Sequence, residues 1–411
     1  MSATQAGRSK SAGHAAVFLT GSRTPVPNPG YGTGLLLPFE LTEAPGCEFA
    51  IRSTHPPALL AASEWCGRVW QSATVSVLQL LAVLAEHGLT LGSVRPEFMG
   101  LLGGRNPLYF RPTSIIRADP SAGIRAAAQV ADFFLLPVYM CAAGHSTTLR
   151  DLLARGDSLA PVRAFPEMAR SARLACASIR TPAAQQYLAL AEHAANLPLP
   201  NADTFWSQYY RHELPLVRSE AWPYKNHAAE RILATMEPSS MVDLASNTGW
   251  YALLAAAKGI PAVAMETDEI CVNRLFDVSC DRAVNVVPVM GDITNPFALA
   301  APRASERLSA ECRFASDLAV ALAITHHLVI SPPWLSFADV AALLAGYSKR
   351  YLLTEFVGFD PASKNPYRVE ELPGGDSWYK IENFMDALRR RFREVVLVPG
   401  PKGRRLVLAE K

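Results

Sequence analysis

The sequence predicts two folded parts, a mostly helical N-terminal domain and an α/β domain built on a largely parallel sheet. Three observations predict this. In the second half of the chain, short apolar runs alternate with helical segments, which is the sequence form of parallel strands joined by crossover helices. That half closes on two further apolar runs, Glu394 to Val398 and Arg405 to Ala409. The residues between them, Pro399 to Arg404, include Pro, Gly and Lys and suit a turn between antiparallel strands. In the first half, Trp70 to His87 and Ile124 to Gly144 carry apolar residues at helical spacing, and Thr148 to Arg155 adds a shorter helix. Pro107 to Ile116 reads as a short extended segment.

Length and composition agree with two large pieces. At roughly 150 residues per domain, 411 residues are more than one domain needs, and with 50% apolar and 18% charged residues the chain can bury a substantial core. Residues 1–28, rich in Ser, Gly, Ala and Thr, read as a flexible tail. The helical domain is expected over 29–200, an aromatic-rich connector or cap over 201–229, and the α/β domain over 230–411.

A formal net charge of +2 gives no broad cationic field toward nucleic acid or anionic lipid. The local cluster Arg389, Arg390, Arg391 and Arg393 falls on an expected helix and reads as its solvated face. Seven scattered cysteines show neither CxxC pairs nor a disulfide framework, so a reducing cytoplasm and no bound metal are expected. Near the N-terminus, the apolar run Ala15 to Leu19 is too short for a signal-peptide core. The longest apolar stretch, Ala126 to Ala143, is interrupted by Gln129, Asp132 and Pro137 and is expected to be a buried helix rather than a membrane span.

The α/β half has expected strands at Ser240 to Leu244, Ala262 to Met265, Val286 to Met290, Leu318 to Ile324 and Tyr351 to Phe356. The first strand ends in a small-residue loop, Asp243 to Gly249, that leads into a helix over Trp250 to Lys258. Such a loop brings backbone amides close to a nucleotide-like ligand, and Gly249 permits the approach. The second strand finishes at Glu266, Thr267 and Asp268, about twenty residues further on, where an acid can accept both ribose hydroxyls. Glu266 is preferred over Asp268 as the first polar residue after the strand. After the third strand, Asp292 can accept the amine of an adenine ring and Ile293 can pack on its face.

The constellation resembles the class I S-adenosylmethionine-dependent methyltransferases, whose loop has an acid followed by glycines at alternate positions. Ala245 and Asn247 replace the first two glycines and only Gly249 remains. More narrowly, DLASNTGWY at 243–251, ETDE at 266–269, VALAITHHLVI at 320–330 and LLTEFV at 352–357 resemble the family related to the nodulation protein NoeA. WPYKN at 222–226 and FLLPVYMCAAGH at 134–145 extend the resemblance upstream. It implies a Rossmann-like, seven-stranded methyltransferase domain with S-adenosylmethionine as cofactor. Asp243 and Gly249 would shape the pocket for the methionine end, Glu266 hold the ribose and Asp292 meet the adenine. Ala245, Asn247, Trp250, Thr267, Ile293 and Lys225 complete the candidate cofactor contacts.

For a donor already activated, the protein must align donor and acceptor, exclude water and, for a hydroxyl acceptor, remove a proton. His326 and His327 follow the fourth strand, where one of them can be that base; as neighbours on a strand continuation they are expected to face opposite sides. Tyr224 joins them as a catalytic candidate. Tyr209, Tyr210 and Trp222 are candidates for acceptor contact through their aromatic faces, and Glu355 for orienting an acceptor amine or hydroxyl. Leu89 to Ile116 resembles in outline the catalytic segment of small-molecule kinases, but RPEFMGLL followed by NPLYFRPTSI lacks an aspartate at either required place. The expected activity is methylation of a small molecule on O, N, C or S, with the helical half as an acceptor platform or the face of a homodimer. A non-catalytic S-adenosylmethionine-binding scaffold and a nicotinamide-dependent oxidoreductase are the competing readings.

Overall fold

The computed structural model describes residues 16–18, 25–27, 39–44, 47–53, 60–102, 106–109, 115–177, 179, 183–209, 216–294, 310–359, 361, 365–372, 377–401 and 403–411. Most of the tail expected over 1–28 lies outside these; within it, Ala16–Phe18 pairs antiparallel with Pro25–Pro27. The helical part comprises α1 (Gly67–Glu86), α2 (Pro120–Val130), α3 (Leu136–Ala142), α4 (Ser146–Ala154), α5 (Ala160–Ala164), α6 (Pro166–Cys176) and α7 (Ala184–Ala195). Two short strands, Asn106–Tyr109 and Ile115–Arg117, overlap the two ends of the segment expected to be extended.

A single π-helical turn, Ala131–Leu135, joins α2 to α3. Its wider hydrogen-bonding pattern accommodates Pro137, which has no N–H to donate. The polar residues of this apolar stretch are paired: Gln129 accepts from the Val94 amide at 2.8 Å, and Asp132 forms a two-pronged ion pair with Arg173 at 2.7 and 2.9 Å. Gly67–Glu86 and Pro120–Ala142 are long and apolar enough to cross a membrane, but 61% and 67% of their most apolar windows are buried within the protein.

The second part adds α8 (Tyr224–Met236), β1 (Met241–Leu244), α9 (Trp250–Ala257), β2 (Ala262–Glu266), α10 (Glu269–Asp281), β3 (Val286–Met290), α11 (Ala310–Phe314) and β4 (Ser316–Ala321). It continues with α12 (Thr325–Ile330), α13 (Phe337–Tyr347), β5 (Ser348–Val357), α14 (Ile381–Arg389), β6 (Glu394–Leu397) and β7 (Arg404–Glu410). The strands form one sheet in the order β3-β2-β1-β4-β5-β7-β6. β1 to β5 run parallel, and β7 lies antiparallel between β5 and β6. Of the four clustered arginines only Arg389 lies within α14; the helix ends there, so the expected helical basic face is not formed.

Alternation along the strands divides the core. Val242, Leu244, Met265, Ala319 and Ala321 point to the face that shares one apolar cluster with α1, α3 and α7. Met241, Ala264, Leu318, Val320 and Leu353 point to the other, under α8 and α9. The helical part is thus packed directly onto the sheet domain, and polar contacts fix the joint. The first amides of α1 have no carbonyl partners within their own helix, and α10 supplies acceptors: Gly67 N–H donates to Glu269 Oε1 at 3.0 Å and Arg68 N–H to Asn273 Oδ1 at 2.9 Å. Glu269 also pairs with Arg150, and fully buried Glu64 holds Arg313 with both oxygens. We expect Glu269→Ala to lower unfolding stability by about 1–2 kcal/mol, the cost of a lost helix cap and a half-buried ion pair. Urea denaturation measures it, and an unchanged midpoint would show that α10 does not cap α1.

Candidate active site

The sheet reverses direction of growth at β1, with β2 on one side and β4 on the other, and a crevice opens beyond the C-terminal ends of these strands. β1 ends at Asp243 and Leu244 and the chain turns through Ala245 to Gly249. Ala245, Asn247 and Gly249 all have positive φ, at 55°, 53° and 76°. Alternate residues therefore adopt the left-handed conformation that glycine adopts without strain. The loop keeps the path of a glycine-rich turn although two glycines are absent. Gly249 is required for a second reason: a Cβ there would lie 2.6 Å from the Leu275 methyl carbons.

Asn247 uses the side chain that a glycine would lack. Its Nδ2 donates to the Trp206 carbonyl at 2.7 Å, while its backbone N–H donates to Glu266 Oε2 at 2.8 Å. Glu266, buried at the end of β2, also accepts from the Thr267 and Asp268 amides at 2.6 and 3.0 Å, both through Oε1. Oε2 holds the single bond from Asn247 and keeps acceptor capacity. Asp268 instead caps α10, accepting from Ile270 and Cys271 amides. Asp292, after β3, is exposed; its Oδ1 accepts from the amide and hydroxyl of Thr294 at 2.8 and 2.7 Å.

These strand ends surround a cavity of about 240 Å³. Ala245, Glu266, Thr267, Asp292 and Ile293 line one side; His327, Leu328, Ser331, Pro332 and Pro333 line the other. Of the expected cofactor contacts, Asp243, Asn247, Gly249, Trp250 and Lys225 stand outside this lining. Asp243 is buried beside it on the α8–α9 side of the sheet, close enough to Lys225 and Glu266 for their charges to act on it. Burial pushes its carboxyl up to about 8, although the Ala252 amide meets one oxygen. The other oxygen, Oδ2, and the Ser246 hydroxyl are buried without a hydrogen-bond partner among the described residues.

Trp250 is packed edge-on against Trp222, centroids 5.0 Å apart, and Trp222 is buried in the apolar cluster under α8 and α9. The acceptor contact expected of Trp222 is therefore not what forms; its ring is part of the core. Tyr224 likewise turns away from the cavity and lies against the β6–β7 turn, where a Cβ on Gly400 would fall 2.3 Å from the ring. That packing removes it from the catalytic candidates. The segment that does reach the site residues is the preceding one. Trp206 stands edge-on to His327 at 5.4 Å, and Arg274 holds the Ser207 carbonyl at 3.2 Å and the Asp203 carboxylate at 2.5 Å. Tyr210 lies outside the described residues.

The histidines do not continue a strand. β4 stops at Ala321, Ala323 turns with φ 54°, and both histidines fall on α12 with their rings 4.1 Å apart. His326 is buried and does not line the cavity; burial, His327, Arg404 and Lys225 push it down to about 3. His327 lines the cavity and is held below the usual histidine range by burial and by Arg404. Its Nδ1 lies 2.8 Å from the Tyr367 hydroxyl. Glu355 is not the lone acid that its position suggested: buried at the end of β5, it pairs with Arg404 at 3.2 Å, and Arg404 also reaches the Tyr209 hydroxyl. Arg404 and Tyr367 carry no signal in the sequence, because each reaches the site from a distant strand end or loop, and Ser331 is placed by the end of α12, the helix that carries His327.

Sheet order, antiparallel β7 and a ligand crevice at the ends of β1 to β4 make the second half a class I methyltransferase fold. No protein-family model matches the chain. Over 185 residues, 43% of this chain, it is 29% identical to the nodulation protein NoeA of Rhizobium meliloti (strain 1021). The likeness to NoeA expected from the motifs is therefore present, and it spans 37% of NoeA's own length. Among solved structures, the bifunctional kinase-methyltransferase WbdD is 17% identical with a TM-score of 0.32, covering 44% of this chain and 36% of that one. TehB from Haemophilus influenzae is 11% identical with a TM-score of 0.33, covering 50% of this chain and 67% of that one. Magnesium protoporphyrin IX methyltransferase (ChlM) from Synechocystis PCC 6803, with bound SAM, is 10% identical with a TM-score of 0.32, covering 51% and 91%.

Proposed function

We propose that this protein transfers a methyl group from S-adenosylmethionine to a small-molecule acceptor. The observation that carries the reading is the cavity that unites Ala245, Glu266 and Asp292 from three successive strand ends of the β3-β2-β1-β4-β5-β7-β6 sheet. The residues fit the cofactor: Ile293 and Asp292 suit an adenine, Glu266 a ribose diol, and the unpartnered Asp243 Oδ2 and Ser246 hydroxyl a polar amino-acid end. The bound cofactor supplies an electrophilic methyl on a sulfonium. The chain's own work is to hold both partners, exclude water beneath the Trp206 segment, and accept a proton at His327. The buried, unpaired thiols of Cys66, Cys141, Cys176 and Cys271 fit the reducing cytoplasm as its location.

Incubation with labelled S-adenosylmethionine and an extract of the producing cell, followed by mass spectrometry, tests the function. A labelled small molecule is expected; cofactor binding with no labelled product from any extract would favour a binding scaffold. A proton-linkage measurement tests the methionine end. Asp243, raised to about 8, keeps its proton at pH 7. A ligand ammonium beside it lowers that pKa, so binding of S-adenosylhomocysteine is expected to release a proton and to tighten as pH rises from 6 toward about 8. Calorimetry in buffers of different ionisation enthalpy reads the release; identical heats in all buffers would remove Asp243 from the ammonium contact.

A further inference from the structure

The hydrogen bonds around His327 run in one direction, and that direction fixes which ring nitrogen carries the proton. The Ser331 hydroxyl donates to the His327 carbonyl at 2.7 Å, so its single hydrogen is spent. Tyr367, 3.1 Å away, must then donate its own hydrogen to Ser331 Oγ. With that hydrogen committed, the Tyr367 oxygen can only accept from His327, and the 2.8 Å contact requires a proton on Nδ1. In a neutral imidazole the second nitrogen, Nε2, is then a bare lone pair, and it has no hydrogen-bond partner among the described residues. The loop that carries Tyr367 is itself anchored: Asn365 donates to the Val357 and Gly358 carbonyls at the end of β5 and accepts from the Tyr367 amide at 3.0 Å.

We infer that Tyr367 and Ser331 are positioning residues that lock His327 as its Nδ1–H tautomer, leaving Nε2 as the base for a hydroxyl-bearing acceptor. This rests on the methyltransferase reading for its reaction, but the tautomer lock stands on geometry alone. In the step, the acceptor's hydroxyl proton passes to Nε2 and the O–H bonding pair stays on oxygen, which attacks the donor methyl; the O–C bond forms as the methyl–sulfur bond breaks and its electron pair goes to sulfur. The imidazolium later returns the proton to solvent. A thioether acceptor has no proton to lose and makes no use of such a lock. His326, buried behind its neighbour, is outside the relay.

The test is the ¹⁵N spectrum of the full-length protein labelled at its nine histidines, recorded at pH 7.5, with His327 assigned by its loss in His327→Gln. The wild type is expected to show an Nδ1–H excess of roughly tenfold, the ratio that one ordinary hydrogen bond sustains. Tyr367→Phe removes the acceptor and should bring the two tautomers toward parity. Ser331→Ala has the more telling effect: it frees the Tyr367 hydrogen to donate to Nδ1 and should turn the ratio toward Nε2–H. S-adenosylhomocysteine calorimetry on the same samples reports the cofactor site separately, so its failure would remove the methyltransferase reading without touching the tautomer result. A wild-type Nε2–H ring, or a ratio that neither variant moves, overturns the lock.

Discussion

Replacing His327 by alanine is expected to lower methyl transfer by roughly a hundred- to ten-thousand-fold, the range over which a positioned general base acts, while changing S-adenosylhomocysteine affinity only a few-fold. His327 is the member of the pair that lines the cavity, and its Nδ1 is engaged by Tyr367. His326 is driven down to about 3 by burial and by the cations and imidazole around it, which makes it too weak a base to hold a proton at neutral pH. Substituting His326 should therefore act through packing, with a stability loss larger than any change specific to the chemical step. Turnover read as label passing from S-adenosylmethionine into the acceptor separates the two. Loss of turnover in a folded His326 variant, with His327→Ala active, would assign the base to the other ring.

Glu266→Ala is expected to weaken S-adenosylhomocysteine binding by roughly a hundredfold or more. A ribose diol donating to a carboxylate makes charge-assisted hydrogen bonds worth about 1.5–3 kcal/mol each, and every 1.4 kcal/mol is tenfold in affinity. The same carboxylate anchors the loop through the Asn247 amide and its own strand end through Thr267 and Asp268. Glu266→Gln is the control, since its carbonyl oxygen can keep the Thr267 and Asp268 amides while its NH₂ no longer accepts from a diol. The glutamine variant also loses the acceptor for the Asn247 amide, so it should stay folded but melt slightly lower, by about 1 kcal/mol of stability, and bind weakly. Wild-type affinity in the alanine variant would place the ribose elsewhere.

What the sequence revealed of this site was its frame. Strand ends followed by acids are short-range features, so the positions of Glu266 and Asp292 at the edge of a parallel sheet were legible, and the choice of Glu266 over Asp268 agrees with Asp268 acting as a helix cap. The loop was harder. Residue identity suggested a degraded glycine turn at Ala245 and Asn247, whereas the backbone holds both with positive φ. Alanine pays about 1–2 kcal/mol in strain there and asparagine less, since its amide bonds locally. Asn247 in turn ties the aromatic segment to the site, a contact between residues 41 positions apart that no local pattern contains.

The histidine pair was located correctly along the chain but given the wrong local structure. VALAITHHLVI is apolar on both sides of Thr325, His326 and His327, and short apolar runs do not distinguish strand from helix; the turn at Ala323 divides the segment. Trp222 failed as an acceptor contact for a related reason. Trp222 and Trp206 look alike in sequence, and only packing decides that Trp222 enters the core under α8 while Trp206 stands against His327. In the first half, α1, the α2–α3 stretch and α4 were readable from their spacing, whereas the capping of α1 by Glu269 and Asn273 spans about two hundred residues and emerges only from the fold.

Calorimetric titration of the full-length protein with S-adenosylhomocysteine, and in parallel with NAD, tests the central claim most directly. Saturable binding of S-adenosylhomocysteine at one site per chain, weakened by Glu266→Gln and without a response to NAD, is the predicted result. Binding of NAD with no heat from S-adenosylhomocysteine would contradict it.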